Sequence, residues 1–130
     1  MKVTQASRYA VAAVVYLAAQ KSNDYVTSRD IARAQGLPEL FLLKSLKPLV
    51  GAGILRSIKG PGGGYRLARR AGDISLLEVI EAVDGPLRGW VDCADRHVIG
   101  RLIDRLQQVC EQAASDARRR LAKVRIVELG

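Results

Sequence analysis

Residues 52–68 read Ala52-Gly53-Ile54-Leu55-Arg56-Ser57-Ile58-Lys59-Gly60-Pro61-Gly62-Gly63-Gly64-Tyr65-Arg66-Leu67-Ala68. Two runs suited to strands, 54–58 and 65–68, flank a tip made of lysine, glycine and proline. That pattern predicts a β-hairpin with a long glycine-rich tip. Upstream, Thr27 can cap a helix over 28–35, with Asp30 favourably placed near its N-terminus and Gly36 supplying a left-handed end. Pro38 fits the first turn of a third helix that reaches about residue 50 and is ended by Gly51 and Gly53. Pro48 cannot donate to the Lys44 carbonyl, which predicts a kinked or tightened last turn. A first helix, capped by Thr4 or Ser7, runs to about residue 20 with Val11, Val14, Val15 and Ala18 along one face. Helix, helix, turn, helix, hairpin is the order of a winged helix-turn-helix.

Downstream, Ser75-Leu76-Leu77-Glu78 is a capping box opening a short helix that ends near Asp84-Gly85-Pro86. Residues 87–95 show no period and read as a loop. A long helix follows over about 96–124, with Ile99, Leu102, Leu106, Val109, Ala113, Leu121 and Val124 near three-four spacing. Such a stripe needs an apolar partner, either a second copy of the chain in an isologous dimer or the same chain folded back. Cys110 lies on the stripe and is expected in the core. The fold class is therefore mainly α with a small β-hairpin. A winged helix-turn-helix DNA-binding domain is expected over 1–86, with a sensor-type loop and dimerisation helix over 87–130.

The charge balance narrows the function. The 130 residues carry a net charge of +8 and are 48% hydrophobic, enough apolar content for a core. Residues 28–72 hold nine Lys or Arg against Asp30 and Glu39, so seven of the eight excess charges fall in this stretch. A localised basic surface implies a polyanionic partner. Two cysteines do not form a disulfide framework, and the longest apolar run, 10–19, is too short to span a bilayer. No apolar segment of signal-peptide type follows Met1, so a cytoplasmic protein without membrane partners is expected. Enzyme chemistry is disfavoured by a single histidine and the lack of a Ser-His-Asp set or paired carboxylates. The glycines of 60–64 lack the following Lys-Ser/Thr pair of a nucleotide-binding loop.

Several segments carry a family resemblance. The opening Met1-Lys2-Val3-Thr4-Gln5-Ala6-Ser7-Arg8-Tyr9-Ala10, then Asp30-Ile31-Ala32, Gln35-Gly36-Leu37, the hairpin quoted above, 75–83 and Val127-Glu128-Leu129 resemble the Rrf2 regulators. The hairpin is the most specific part, and 85–106 the weakest. The resemblance implies a homodimeric transcription regulator, expected to be a repressor, on a pseudo-palindromic operator in double-stranded DNA. Its family often senses iron–sulfur status, nitric oxide, redox state or a metabolite.

The third helix then becomes the recognition helix, its N-terminal part at base edges. Phe41, Leu42, Leu46 and Leu49 look like its buried side; Glu39, Lys44 and Lys47 look exposed. The expected DNA contacts are Arg8, Tyr9, Ser28, Glu39, Leu40, Leu43, Lys44, Lys47, Arg56, Lys59, Gly60, Gly62, Gly63 and Arg66. Arg8 and Tyr9 enter through the resemblance, and Tyr9 reads equally as a core residue. The family often places an acidic residue and Gln where this chain has Leu43 and Lys44, so a relative's operator does not transfer. Many relatives also hold an iron–sulfur cluster on three cysteines between the capping-box helix and the long helix. Here that region has Cys93 alone, with Ile99 and Asp104 in place of thiols, so no cofactor is assigned. Cys93 and His97 remain a candidate sensor: ligands, paired across a dimer, to an iron–sulfur cluster or a single metal; a reactive thiol; or an inert pair. The alternative function is a winged-helix interaction module docking an acidic protein.

Overall fold

In the computed structural model, which describes residues 2–89 and 100–130, α1 spans Gln5–Ala18. Thr4 caps it, its hydroxyl accepting the Ser7 N–H at 3.1 Å. Ser7, Ala10, Ala13, Val14 and Leu17 face inward, and the small residues at 7, 10 and 13 let α1 lie close to its neighbours. α2 (Ser28–Gln35) is capped by Thr27 and closed by Gly36 at φ 65°. Leu37 N–H then bonds back to the Ala32 carbonyl at 2.9 Å, satisfying a carbonyl that the helix end leaves open.

α3 (Glu39–Gly51) starts one residue later than expected: Pro38 stands at the cap position, extended, and makes no side-chain cap bond. Leu42, Ser45, Leu46 and Leu49 form its buried face. Pro48 lies inside the helix, which continues to Gly51, and Ala52 and Ile54 N–H groups bond to the Pro48 and Leu49 carbonyls.

β1 (Leu55–Ile58) and β2 (Gly64–Leu67) form the expected antiparallel hairpin, pairing Leu55 with Leu67, Arg56 with Arg66, Ser57 with Tyr65 and Ile58 with Gly64. The loop before α2 adds a short third rung: Val26 and Tyr65 exchange backbone bonds of 2.9 and 2.7 Å.

α4 (Leu76–Asp84) has the complete capping box. Ser75 Oγ accepts from the Glu78 N–H at 3.1 Å, and Glu78 accepts from the Ser75 N–H at 2.8 Å. α5 (Gly100–Lys123) leans on α4 through a two-pronged bond from Arg118 to Glu81 at 3.1 and 3.2 Å. The expected start of this helix at 96–99 lies outside the described residues. After α5 the chain returns to the first helices: Leu76 N–H bonds to Val124, Ile126 N–H bonds to Ile74, and Ile126 is fully buried. The core is thus built by α1, α2, α3, the hairpin, α4 and this tail.

α5 itself contributes no buried residue, and Leu102, Leu106 and Val109 are 52%, 43% and 58% exposed. Cys110 is half-buried, so the expected core cysteine is corrected: α5 lies on the edge of the fold and meets its neighbours over part of its surface only. Among the described residues no helix is long and apolar enough to cross a membrane.

Burial pushes the Glu78 carboxyl up, but the Ser75 N–H and the Arg69 guanidinium outweigh it and hold its pKa below the ordinary value. Folding therefore favours ionised Glu78. That stabilisation is complete above the unfolded pKa and is lost as pH falls through the folded one. We expect Glu78→Gln, which keeps the cap geometry but loses the 2.8 Å ion pair to Arg69, to cost about 0.2–1 kcal/mol at neutral pH. Denaturant titrations should show the deficit shrinking to nothing in strong acid.

Candidate nucleic-acid interface

The seat of α3 fixes which side chains face outward. Ser45, fully buried, donates its hydroxyl to the Ala6 carbonyl at 2.9 Å. Leu42, Leu46 and Leu49 of the same helix are fully buried in the core. At the helix start, Ser28 Oγ donates to Glu39 at 3.1 Å and joins α2 to α3. What remains on the far side is Leu40, 76% exposed, with Lys44 and Lys47 exposed and Leu43 half-buried.

Two expectations are corrected here. Phe41 is 53% exposed, not buried, with the Lys44 ammonium 5.7 Å from its ring centroid. Counting from Leu42 by three, four and seven gives 45, 46 and 49, so Ser45 occupies the line that an apolar reading handed to Phe41. Glu39 is half-buried rather than exposed, because its carboxylate holds Ser28. Of the two α1 residues, Arg8 is exposed and Tyr9 half-buried against the core.

Sequence reading missed a clamp beside Arg8. Asp84, at the end of α4, accepts from the Thr4 and Ser7 hydroxyls at 2.6 Å each. The partners are about 80 residues apart in the chain, and nothing local in the sequence marks them.

In the wing, Lys59, Gly60 and Gly62 are exposed at the tip. Gly63 is buried: a Cβ there would stand 2.3 Å from the Ile58 carbonyl oxygen. Gly64, at φ 140°, packs so tightly on the loop that a Cβ would come 2.3 Å from the Val26 oxygen. These two glycines build the hairpin, whereas Gly60 and Gly62 shape its open tip. Arg56 is exposed and Arg66 half-buried on the strands behind it.

Ion pairs among the described residues join Arg69 to Glu78, Arg118 to Glu81 and Arg119 to Asp116. Arg8, Lys44, Lys47, Arg56 and Lys59 take part in none of them. The structure therefore sets α3 and the hairpin side by side on one chain, with cations that have no acidic partner within the described fold.

Cys93 and His97 lie outside the described residues. Whole-chain counts still bear on an iron site: two cysteines and one histidine cannot give a protomer the three thiolates of the family pattern. Among the described residues no group of three His, Cys, Asp or Glu is placed to hold a metal. The donor set does not fit a cluster of the family type.

The helix order, the seated α3 and the paired strands define a winged helix-turn-helix protein. The chain belongs to the Rrf2 family of transcriptional regulators: the family model, described as "Iron-dependent Transcriptional regulator", matches residues 3–130. The HTH-type transcriptional regulator IscR of Vibrio atlanticus is 42% identical over 98 residues, which is 72% of this chain and 57% of that protein. Curated relatives of this kind are named as transcriptional regulators, not as enzymes. The chain spans 50% to 64% of the length of the curated relatives it matches. Among solved structures, IscR of T. potens superposes with a TM-score of 0.75 at 26% identity, covering 99% of this chain and 85% of that one. CymR, the global cysteine regulator of B. subtilis, shares the fold at a TM-score of 0.80 and 22% identity, covering 99% and 95%.

The two faces of α3 should separate in stability measurements. Leu42→Ala should cost about 2–5 kcal/mol by chemical denaturation, whereas Phe41→Ala should cost less than about 1 kcal/mol, as for a half-exposed side chain. In the wing, Gly64→Ala should destabilise by about 2 kcal/mol or more, since the added methyl meets backbone that cannot yield. Gly51→Ala, where a Cβ meets nothing within 4 Å, is the control and should leave stability unchanged or slightly raised.

Proposed function

We propose that this chain is a sequence-specific DNA-binding transcription regulator that represses by occupying a pseudo-palindromic operator as a homodimer. The observation that carries this reading is the exposed row of Leu40, Lys44 and Lys47 on α3, beside a wing whose Arg56 and Lys59 have no acidic partner among the described residues. Lysines of this kind fit phosphate or a guanine edge, and Leu40 or Leu43 fits a thymine methyl. Lys59, Gly60 and Gly62 at the tip suit a narrow groove, where small residues let backbone approach. Arg8 and Ser28 lie at helix starts where backbone phosphates are met, and Tyr9 adds its half-buried ring beside Arg8. Gly63 supports the wing from inside, and Glu39 orients Ser28.

The homodimer rests on α5. Its exposed Leu102, Leu106 and Val109 form an apolar row along a helix with no fully buried residue, on the side not turned to its own chain. A second α5 is the self-complementary partner, and two-fold symmetry sets two recognition helices against two half-sites. In this reading residues 1–86 bind DNA and 87–130 carry the dimer helix, and the cytoplasm is where the protein meets its DNA.

Selection from random duplexes tests it. We expect enrichment of an inverted repeat, with Lys44→Ala weakening binding to the selected duplex about five- to 150-fold, or about 1–3 kcal/mol, if Lys44 meets a base edge. Unchanged affinity at moderate salt would sink the recognition-helix assignment. Failure to enrich any repeat, together with binding to an acidic protein that DNA does not displace, would favour an interaction module instead.

A further inference from the structure

The hairpin register places Arg56 and Arg66 directly opposite each other on the face of the wing turned away from the core. Their neighbours along the strands, Leu55 with Leu67, and Tyr65, turn inward and pack on the core. Cross-strand side chains this close interact, and two like charges in such a pair repel. The arrangement persists because Arg66 is held from a third direction. Its guanidinium carbon lies 4.6 Å from the centroid of the Tyr25 ring, and its Nη1 donates to the Asn23 carbonyl at 3.4 Å. Tyr25 and Asn23 belong to the loop before α2, which Val26 pins to Tyr65.

We infer that Arg56 and Arg66 form a two-guanidinium site for one phosphodiester of duplex DNA, and that Tyr25 is its positioning residue. The inference rests on the DNA-binding reading above and adds to it a loop residue assigned no role there. The ring face and the Asn23 carbonyl take part of the Arg66 charge and one N–H, leaving the rest of the planar fork free for phosphate oxygens. A phosphate between the two arginines turns the like-charge repulsion of the free wing into attraction. A DNA phosphate is favoured over an acidic side chain because the pair continues along the same hairpin into Lys59. Arg56 on the strand and exposed Lys59 at the tip lie at most about 10 Å apart along the chain, at about 3.3 Å per residue, so the hairpin offers cations over a longer span than one carboxylate.

The test measures affinity for a mixed-sequence duplex as a function of salt, with thermal melts confirming that each variant folds. Each phosphate contact adds about 0.9 to the slope of log affinity against log salt. Arg66→Ala should weaken binding about three- to tenfold and lower the slope by about 0.9. Tyr25→Leu should do the same, Tyr25→Phe should behave as wild type, and Tyr25→Leu added to Arg66→Ala should cost nothing further. A Tyr25→Leu protein with wild-type affinity and slope would overturn the role of Tyr25 while leaving the DNA-binding reading intact. A wild-type protein that ignores duplex at low salt would overturn that reading and this site together. Binding of poly-glutamate in place of duplex would assign the arginines to an acidic protein partner.

Discussion

The outward surface depends first on how α3 is seated. One hydroxyl bond, from buried Ser45 to the Ala6 carbonyl, sets α3 in height and rotation against the first turn of α1. A buried hydroxyl without a partner would cost about 1–3 kcal/mol, so a helix rotated away from Ala6 is penalised twice: by the orphaned hydroxyl and by Leu42, Leu46 or Leu49 leaving the core. α3 has little rotational freedom as a result. Phe41, Lys44 and Lys47 face solvent because the opposite side is committed.

The wing is fixed by a second kind of constraint, backbone proximity. Gly63 and Gly64 lie where any side chain would strike the Ile58 or Val26 carbonyl. Because Val26 precedes the Thr27 cap of α2, the same contact that closes the hairpin also positions the start of the helix-turn-helix. The start of α2 and the hairpin are thus tied together at Val26, while α3 leads directly into β1 through the bond from the Ile54 N–H to the Leu49 carbonyl.

These two constraints differ in how far a sequence reveals them. The caps at Thr4, Thr27 and Ser75, the Gly36 stop and the hairpin could be read directly, because each is decided by residues within four or five positions. The α3 lysines could be read from periodicity. Phe41 is different, because polarity and spacing disagree there: Ser45 looks like a surface residue until its acceptor, 39 residues upstream, is known. The Asp84 clamp, the Val26 rung and the return of Ile126 to the core link residues far apart in the chain. No local pattern announces them. The Tyr25 and Arg66 pair belongs to the same class, since it exists only once the loop and β2 are side by side.

The acidic residues explain why the basic surface stays available. Glu78, Glu81 and Asp84 follow one another at three-residue spacing on α4, and each is engaged in a structural bond. Glu78 holds the helix cap and Arg69; Glu81 holds Arg118 of α5 and the Leu87 N–H; Asp84 holds the two hydroxyls of α1. Glu39, the acid on α3 itself, is turned to Ser28. Each carboxylate near the core thus neutralises a donor that fixes an element, and none in this set pairs with a cation of α3 or the wing. A chain with the same composition but these acids dispersed over α3 and the hairpin would have the same net charge and a far weaker field at the surface. The sequence separates the charges by element, so the carboxylates hold the scaffold while α3 and the wing keep their positive charge facing solvent.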